Sequence, residues 1–309
     1  MKIIKIGLLT AVFIICIHSL QAGESGFRFL RVGVPAKGAG LGDSYISQFG
    51  DVNTVVYNPA GVAQLDHKQL AAGYMNHIMD IGSGYGVYAQ PFKDRGVFGI
   101  SVVYFNYGKF DGYDANGYNA KQFSAGDYAV SLFHAHRIKE NFYQGAALKF
   151  VRSSIGEYSA GAIALDLGVI YLLPDDGIQL GASILNAGIV TDAFLNRKEK
   201  LPLSFQIGAS RKWKLTTFSL NFSDLNVPGN RLERFALSSE TALWEKIFFR
   251  AGYNNQRRSE LDQSGTGFMK HASGFSAGIG VKFKEYVIDY SFSSWGIAAV
   301  NRFSLTVNL

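Results

Sequence analysis

"FSAGIGVKFKEYVIDYSF" occupies residues 275–292 and changes direction once, at Lys284-Glu285. Before that point Phe275, Ala277, Ile279, Val281 and Phe283 alternate with Ser276, Gly278, Gly280 and Lys282. After it Tyr286, Ile288, Tyr290 and Phe292 alternate with Val287, Asp289 and Ser291. Successive side chains of an extended chain point to opposite faces, so each run carries one apolar face and one small or polar face. Two such runs joined by two residues read as a β-hairpin. Their length is close to the ~9–11 residues that a tilted strand needs to cross a bilayer.

The same pattern runs backward and forward through the chain. It gives fourteen segments, at 68–79, 82–92, 95–107, 126–137, 141–153, 160–172, 177–188, 203–213, 216–224, 234–242, 247–255, 273–283, 285–294 and 301–309. Even-numbered segments are followed by short turns, among them "KDR" (93–95), "KEN" (139–141), "LPDDG" (173–177) and "WKL" (213–215). Odd-numbered ones, from the third on, are followed by longer stretches such as 108–125, 189–202 and 255–273. Alternating tight turns and long loops describe an up-and-down transmembrane barrel with turns at the periplasmic end. No fixed repeat or recurring Trp-Asp pair marks a propeller. The expected class is therefore all-β, a 14-stranded antiparallel transmembrane β-barrel occupying 68–309. Its last run sets Phe303, Leu305, Val307 and Leu309 against Ser304, Thr306 and Asn308, and resembles the terminal signal read by the outer-membrane assembly machinery.

Composition agrees. Glycine is abundant at 35, proline scarce at 6, and aromatics reach 14%. Lys2, Lys5, an apolar run from Ile6 to Ile17 and small residues to Ala22 describe a secretory signal peptide over 1–22, with the cut after Ala22 or Gly23. Removing its two lysines from the formal +6 leaves +4, spread along the chain, which is no nucleic-acid footprint. Removing Cys16 leaves no cysteine, so stability must come from strand pairing and packing.

Residues 23–67 break the alternation. They hold a small-residue run, "PAKGAGLGDSYIS", and then "DVNTVVYNPAGVAQL". A barrel of fourteen strands is too wide for its own side chains to fill, since ~8 strands is about the limit. This stretch is the material available as a hatch in the lumen. Its turn would be Asn58-Pro59-Ala60-Gly61, where Asn-Pro starts a turn and Gly61 would allow backbone conformations closed to other residues.

"AGLGDSYIS…DVNTVVYNPAGVAQL" resembles the N-terminal hatch of FadL-like outer-membrane proteins. "FRFLRVGVPAKGAGLGDSYIS" (27–47), "FNYGKFDGYDANG" (105–117), "FSAGDYAVSL" (123–132) and "YSAGAIALDLGVIY" (158–171) are similar to the PorV/PorQ family, most of all its PorQ branch. The resemblance implies a non-enzymatic component of the type IX secretion system in the outer membrane of a Gram-negative, Bacteroidetes-type bacterium. It also implies contact with outer-membrane lipids and with a surface complex, including a PorZ-like partner and the sortase assembly. The stretch 108–125 with its flanks carries Tyr107, Phe110, Tyr113, Tyr118 and Phe123, and aromatics concentrate at interfaces, so it is the expected partner-binding loop. The alternative is a FadL-like transporter of small hydrophobic compounds, which would need an apolar, ligand-sized pocket beside the hatch.

Catalytic signals are missing. No serine sits in a nucleophile elbow. His134 and His136 share a strand face without a third ligand nearby, so no metal and no cofactor is expected; a lumen or interface position explains the pair. Trp213, Trp244 and Trp295 fall at strand ends, where an aromatic girdle would sit. Ser204, Gln206, Asn221, Glu240 and Arg250 are the expected polar lining of the lumen.

Overall fold

The computed structural model describes residues 26–77, 81–113, 116–194, 199–261, 272–295 and 298–309. The 1–22 leader lies outside them. Fourteen antiparallel strands form one closed barrel. They are β1 (Gln69–Asn76), β2 (Gly82–Phe92), β3 (Gly96–Tyr113), β4 (Asn119–Lys139), β5 (Phe142–Ile155), β6 (Tyr158–Leu173) and β7 (Ile178–Asp192), then β8 (Ser204–Trp213), β9 (Thr216–Phe222), β10 (Phe235–Leu243), β11 (Ile247–Asn254), β12 (Phe275–Phe283), β13 (Tyr286–Ser294) and β14 (Ala299–Asn308). Each strand pairs with its sequence neighbours, and β1 closes the ring on β14 from Gln69↔Asn308 to Asn76↔Asn301. The hairpin that opened the reading pairs Phe283 with Tyr286 and Ser276 with Ser293.

The barrel is apolar on the outside. Along β6, Ile163, Leu165, Leu167, Val169 and Tyr171 are exposed, while Ala162, Ala164, Asp166 and Ile170 between them are buried. The inner face is lined by small residues such as Ala129, Ala147, Ser131, Ser183 and Ser219, all buried. Among the described residues no helix is long and apolar enough to cross a membrane.

Two expectations about connections need correction. The stretch 108–125 is mostly strand: β3 continues to Tyr113 and β4 begins at Asn119, so the barrel wall projects as a hairpin. Alternation and cross-strand pairing persist there, with Phe110 opposite Phe123, across register shifts near Gly108, whose φ is 83°. Backbone groups that would be unpaired in a loop are satisfied in this ladder. The connection 255–273 begins with a short helix, Asn255–Leu261, here α2.

Residues 26–65 lie within the ring of strands. Val52 N donates to Gln69 Oε1 on β1 and Tyr85 Oη on β2 donates to Asn53 Oδ1. Ser183 Oγ on β7 donates to the Tyr57 carbonyl, Gln48 Nε2 donates to Ser219 Oγ on β9, and Asn254 Nδ2 on β11 donates to the Gly42 carbonyl. A segment outside the barrel could not reach strands on opposite sides of it. Its local structure is short helices: α1 (Ala36–Gly40) and 3₁₀ turns at Val52–Val56 and Pro59–Gln64. Small residues let it approach the wall backbone closely, and wall glycines meet it. A Cβ on Gly145 of β5 would lie 2.5 Å from the Pro59 carbonyl oxygen and the Ala60 nitrogen.

Candidate binding cavity

The Asn58–Gly61 stretch is the firmest seat of the N-terminal segment. Asn58 is fully buried and caps the following 3₁₀ turn, accepting from Ala60 N at 3.0 Å, with Pro59 in the first helical position. That is the position where proline's missing N–H costs nothing. The other end of the Asn58 amide donates to the carbonyls of Ile46 (2.9 Å), Val169 (3.1 Å) and Ala182 (3.4 Å), the last two being a cross-strand pair of β6 and β7. Pro59, Ala60 and Gly61 are buried. Gly61 is needed for space and not for an unusual backbone angle. A Cβ there would crowd the Thr54 side chain and stand 2.9 Å from the Gln48 carbonyl.

Asp51 ties the segment together internally. Its carboxylate accepts from Lys37 Nζ and Tyr45 Oη at 2.8 Å each, and from Asn53 N at 2.8 Å and Asn53 Nδ2 at 2.9 Å. Burial pushes its pKa up, but the Lys37 ammonium and these hydrogen bonds outweigh burial and bring it down to about 2. On the wall beside it, Arg250 Nε bonds Glu240 Oε2 and Arg250 Nη1 bonds Asp289 Oδ1, both at 2.6 Å. Glu240 and Arg250 thus face inward as expected, and so do Ser204 and Asn221, both buried.

Between residues 28–34 and the wall lies a cavity of about 950 Å³. Phe29, Val55, Val103, Ala147 and Leu185 belong to its apolar lining, interleaved with polar residues such as Ser101, Ser131 and Asn186. Its charged groups are largely paired: Lys149 with Asp166 at 2.8 Å, Arg31 with Asp224 at 3.4 Å, and Arg257 of α2 with Asp43. Arg302 also lines it and is completely buried. Trp295 packs beside both arginines, its ring centre 5.5 Å from Arg257 Cζ and 6.0 Å from Arg302 Cζ. Trp295 therefore faces inward and is no part of a girdle; it continues the inward parity of Asp289, Ser291 and Ser293 one step past the end of β13. Trp213 and Trp244, 62% and 79% exposed, stay on the outside.

The five aromatics expected in one partner-binding loop are divided. Tyr113 and Tyr118 flank the hairpin tip and are 64% and 73% exposed. Phe110 and Phe123 stack across the two strands with ring centres 5.4 Å apart. Tyr107 is half-buried, and its hydroxyl donates to Asp127 Oδ2 at 2.7 Å, because it continues the inward parity of Ser101, Val103 and Phe105 along β3. His134 and His136 stack on each other 5.1 Å apart at the end of β4 that leads into the short turn to β5, on the outward parity shared by Leu132. His134 Nε2 donates to the Arg95 carbonyl and Gln144 Nε2 donates to His136 Nε2. Among the described residues no group of three or more His, Cys, Asp or Glu is placed to hold a metal ion.

These features define a class: a closed fourteen-stranded barrel with an inserted N-terminal segment and a cavity between the two. Solved structures share the fold. A Pseudomonas aeruginosa FadL homologue superposes with a TM-score of 0.56 at 12% identity, over 88% of this chain and 97% of that one. The Pseudomonas putida toluene transporter TodX gives 0.55 at 12% identity, over 87% and 96%. A TodX mutant described as a monoaromatic hydrocarbon channel gives 0.56 at 13%, over 90% and 99%. No family model matches the chain, and no curated protein sequence matches it. The fold is thus FadL-like, and the resemblance to the PorV/PorQ family finds no support in these comparisons.

Proposed function

We propose that this protein is an outer-membrane barrel of a Gram-negative bacterium that admits small apolar compounds, with residues 23–67 acting as the hatch. The carrying observation is the partly open cavity of about 950 Å³ between that segment and the wall. Ligand sites are of this order of size and largely apolar with a few placed polar groups. The apolar outer face supports membrane insertion, since a closed ring of paired strands is what a bilayer tolerates. The fold shared with a toluene transporter supports the ligand class. No reaction is assigned to the cavity.

The test is uptake of a labelled monoaromatic hydrocarbon by cells of an outer-membrane host lacking such a channel, with and without the protein. Faster uptake with the protein supports the proposal. Equal uptake overturns it.

A second reading, a type IX secretion component that anchors a PorZ-like surface partner, is favoured by one feature. The projecting β3–β4 hairpin presents Tyr113 and Tyr118 at its tip and a stacked Phe110–Phe123 pair below it. Such exposed aromatics suit protein docking.

A further inference from the structure

Charge is uneven around the short-turn end of the barrel. The turns β8–β9, β10–β11 and β12–β13, with the strand ends beside them, hold Arg211, Lys212, Lys214, Lys246, Lys282 and Lys284 against only Glu245 and Glu285. That excess of four equals the formal charge of the whole chain after residue 22, so the remainder sums to zero. The next turn round the ring, β6–β7, is acidic, with Asp175 and Asp176. Among the described residues none of the six cations is ion-paired, whereas Lys37, Lys149, Arg250 and Arg257 inside the barrel all are.

Backbone hydrogen bonds lace the three turns into one patch. Ala242 N donates to the Leu215 carbonyl at 2.9 Å, and Lys282 N donates to the Lys246 carbonyl at 2.7 Å. Trp213, Leu215, Trp244 and Phe283 are each at least 60% exposed there. Trp213 and Phe283 continue the outward faces of β8 and β12, following Ile207 on one and Ile279 and Val281 on the other. Cations lie over both rings: Lys214 Nζ is 5.3 Å from the centre of Trp213, and Lys284 Nζ is 5.7 Å from that of Phe283. Arg211 shares the outward parity of Trp213 and pairs across to the exposed Phe218. Arg211, Lys214 and Lys284 thus stand on the outer side of the wall, away from the lumen.

An apolar wall that ends in exposed aromatic rings marks the level where a bilayer core gives way to headgroups. Lysine and arginine at that level lay their stems on apolar surface and place their charge among the headgroups. An acidic protein would meet the charge and leave the wall below the rings uncovered. An anionic lipid covers both, with its phosphate at the cations and its acyl chains on the wall. From this we infer that the β8–β13 sector of the rim is a selective binding site for anionic phospholipid. The site lies outside the barrel and is independent of what the cavity admits.

Two of the three tryptophans of the chain, Trp213 and Trp244, lie in this patch, so their fluorescence reports which lipid touches it. The purified protein is reconstituted in phosphatidylcholine that contains a brominated lipid as contact quencher, either phosphatidylglycerol or phosphatidylcholine. Brominated phosphatidylglycerol should be preferred at least about fivefold, the contribution of a single cation beside an anionic surface. Sodium chloride at about 0.5 M, which screens exposed charges, should bring the preference within about twofold. Arg211→Gln, Lys214→Gln, Lys246→Gln and Lys284→Gln combined should do the same at low salt. Lys109→Gln with Lys121→Gln, on the β3–β4 hairpin, should leave the preference intact. Heat-modifiable gel migration verifies that each variant is folded, and the wild-type comparison needs no variant. Equal quenching of the wild type by the two lipids overturns the site. A preference that survives the fourfold variant also overturns it, as does one lost equally in the hairpin variant, which would assign it to overall charge.

Discussion

Replacing Asn58 by alanine should loosen the N-terminal segment from the wall without touching the barrel ladder. The side chain does three things at once. It caps the 3₁₀ turn through Ala60 N, it holds Ile46 within the segment, and it reaches the Val169 and Ala182 carbonyls of β6 and β7. Losing an asparagine cap costs about 1 kcal/mol. Each lost hydrogen bond adds roughly 0.5–1.5 kcal/mol net. The wall carbonyls keep their ladder partners, so the low end of that range applies to them. The sum is about 3 kcal/mol, which at 1.4 kcal/mol per tenfold raises the unseated population about 100-fold. Native-state amide exchange read by mass spectrometry is the assay, with β6 as the internal standard. Exchange in 44–62 should accelerate by about that factor while 163–171 holds its rate. Unchanged exchange in 44–62 would refute the seat. Equal acceleration of both would show that the N-terminal segment and the barrel open together.

Other perturbations follow from the same contacts. Arg250→Met strands Glu240 and Asp289, and breaking a buried pair by removing one partner costs about 3–5 kcal/mol; the heat-modified gel band should appear at a lower temperature, and adding Asp289→Asn should restore part of the loss. Asp51 lies outside the strands, and its folded pKa of about 2 is below the usual ~3.9 of a free aspartate, so its contribution is present above pH ~4 and is lost as pH falls through 2. Amide exchange in 36–56 should therefore rise between pH 4 and 2 beyond the intrinsic rate, and Asp51→Asn should remove that rise; a rise of equal size in the variant would assign it to another group. For the surface hairpin, a tag inserted at Asn116 should label on intact cells and one in 174–177 should not. On the second functional reading, Tyr113→Ala with Tyr118→Ala should release a surface partner into the medium at unchanged barrel abundance, and retention of the partner would remove that reading's support.

The barrel was legible because its signal is local and repeated. Each strand states which residues face outward, and β12 and β13 pair with the parity of 275–292 in the sequence. Parity carries further than strand ends. Extending 289, 291 and 293 by one step puts Trp295 inside, and setting Phe303, Leu305 and Val307 outward puts Arg302 inside, although tryptophan at a strand end first suggests a girdle. What parity cannot supply is the other half of the cavity corner. Arg257 and Asp43 are 214 residues apart, one on a helix inside an expected loop and the other in a segment without alternation, and only closure of the ring brings them together. The long hairpin failed for the opposite reason: Gly108 and Gly112 look like loop residues, yet the pairing on either side of a bulge continues to Tyr113↔Asn119. Gly61 shows the same gap between composition and contact. A glycine after Asn-Pro reads as a backbone-angle requirement, whereas Thr54 and the Gln48 carbonyl leave no room for a Cβ. Steric demands of that kind come from chain segments packed face to face, and no local pattern encodes which segments meet.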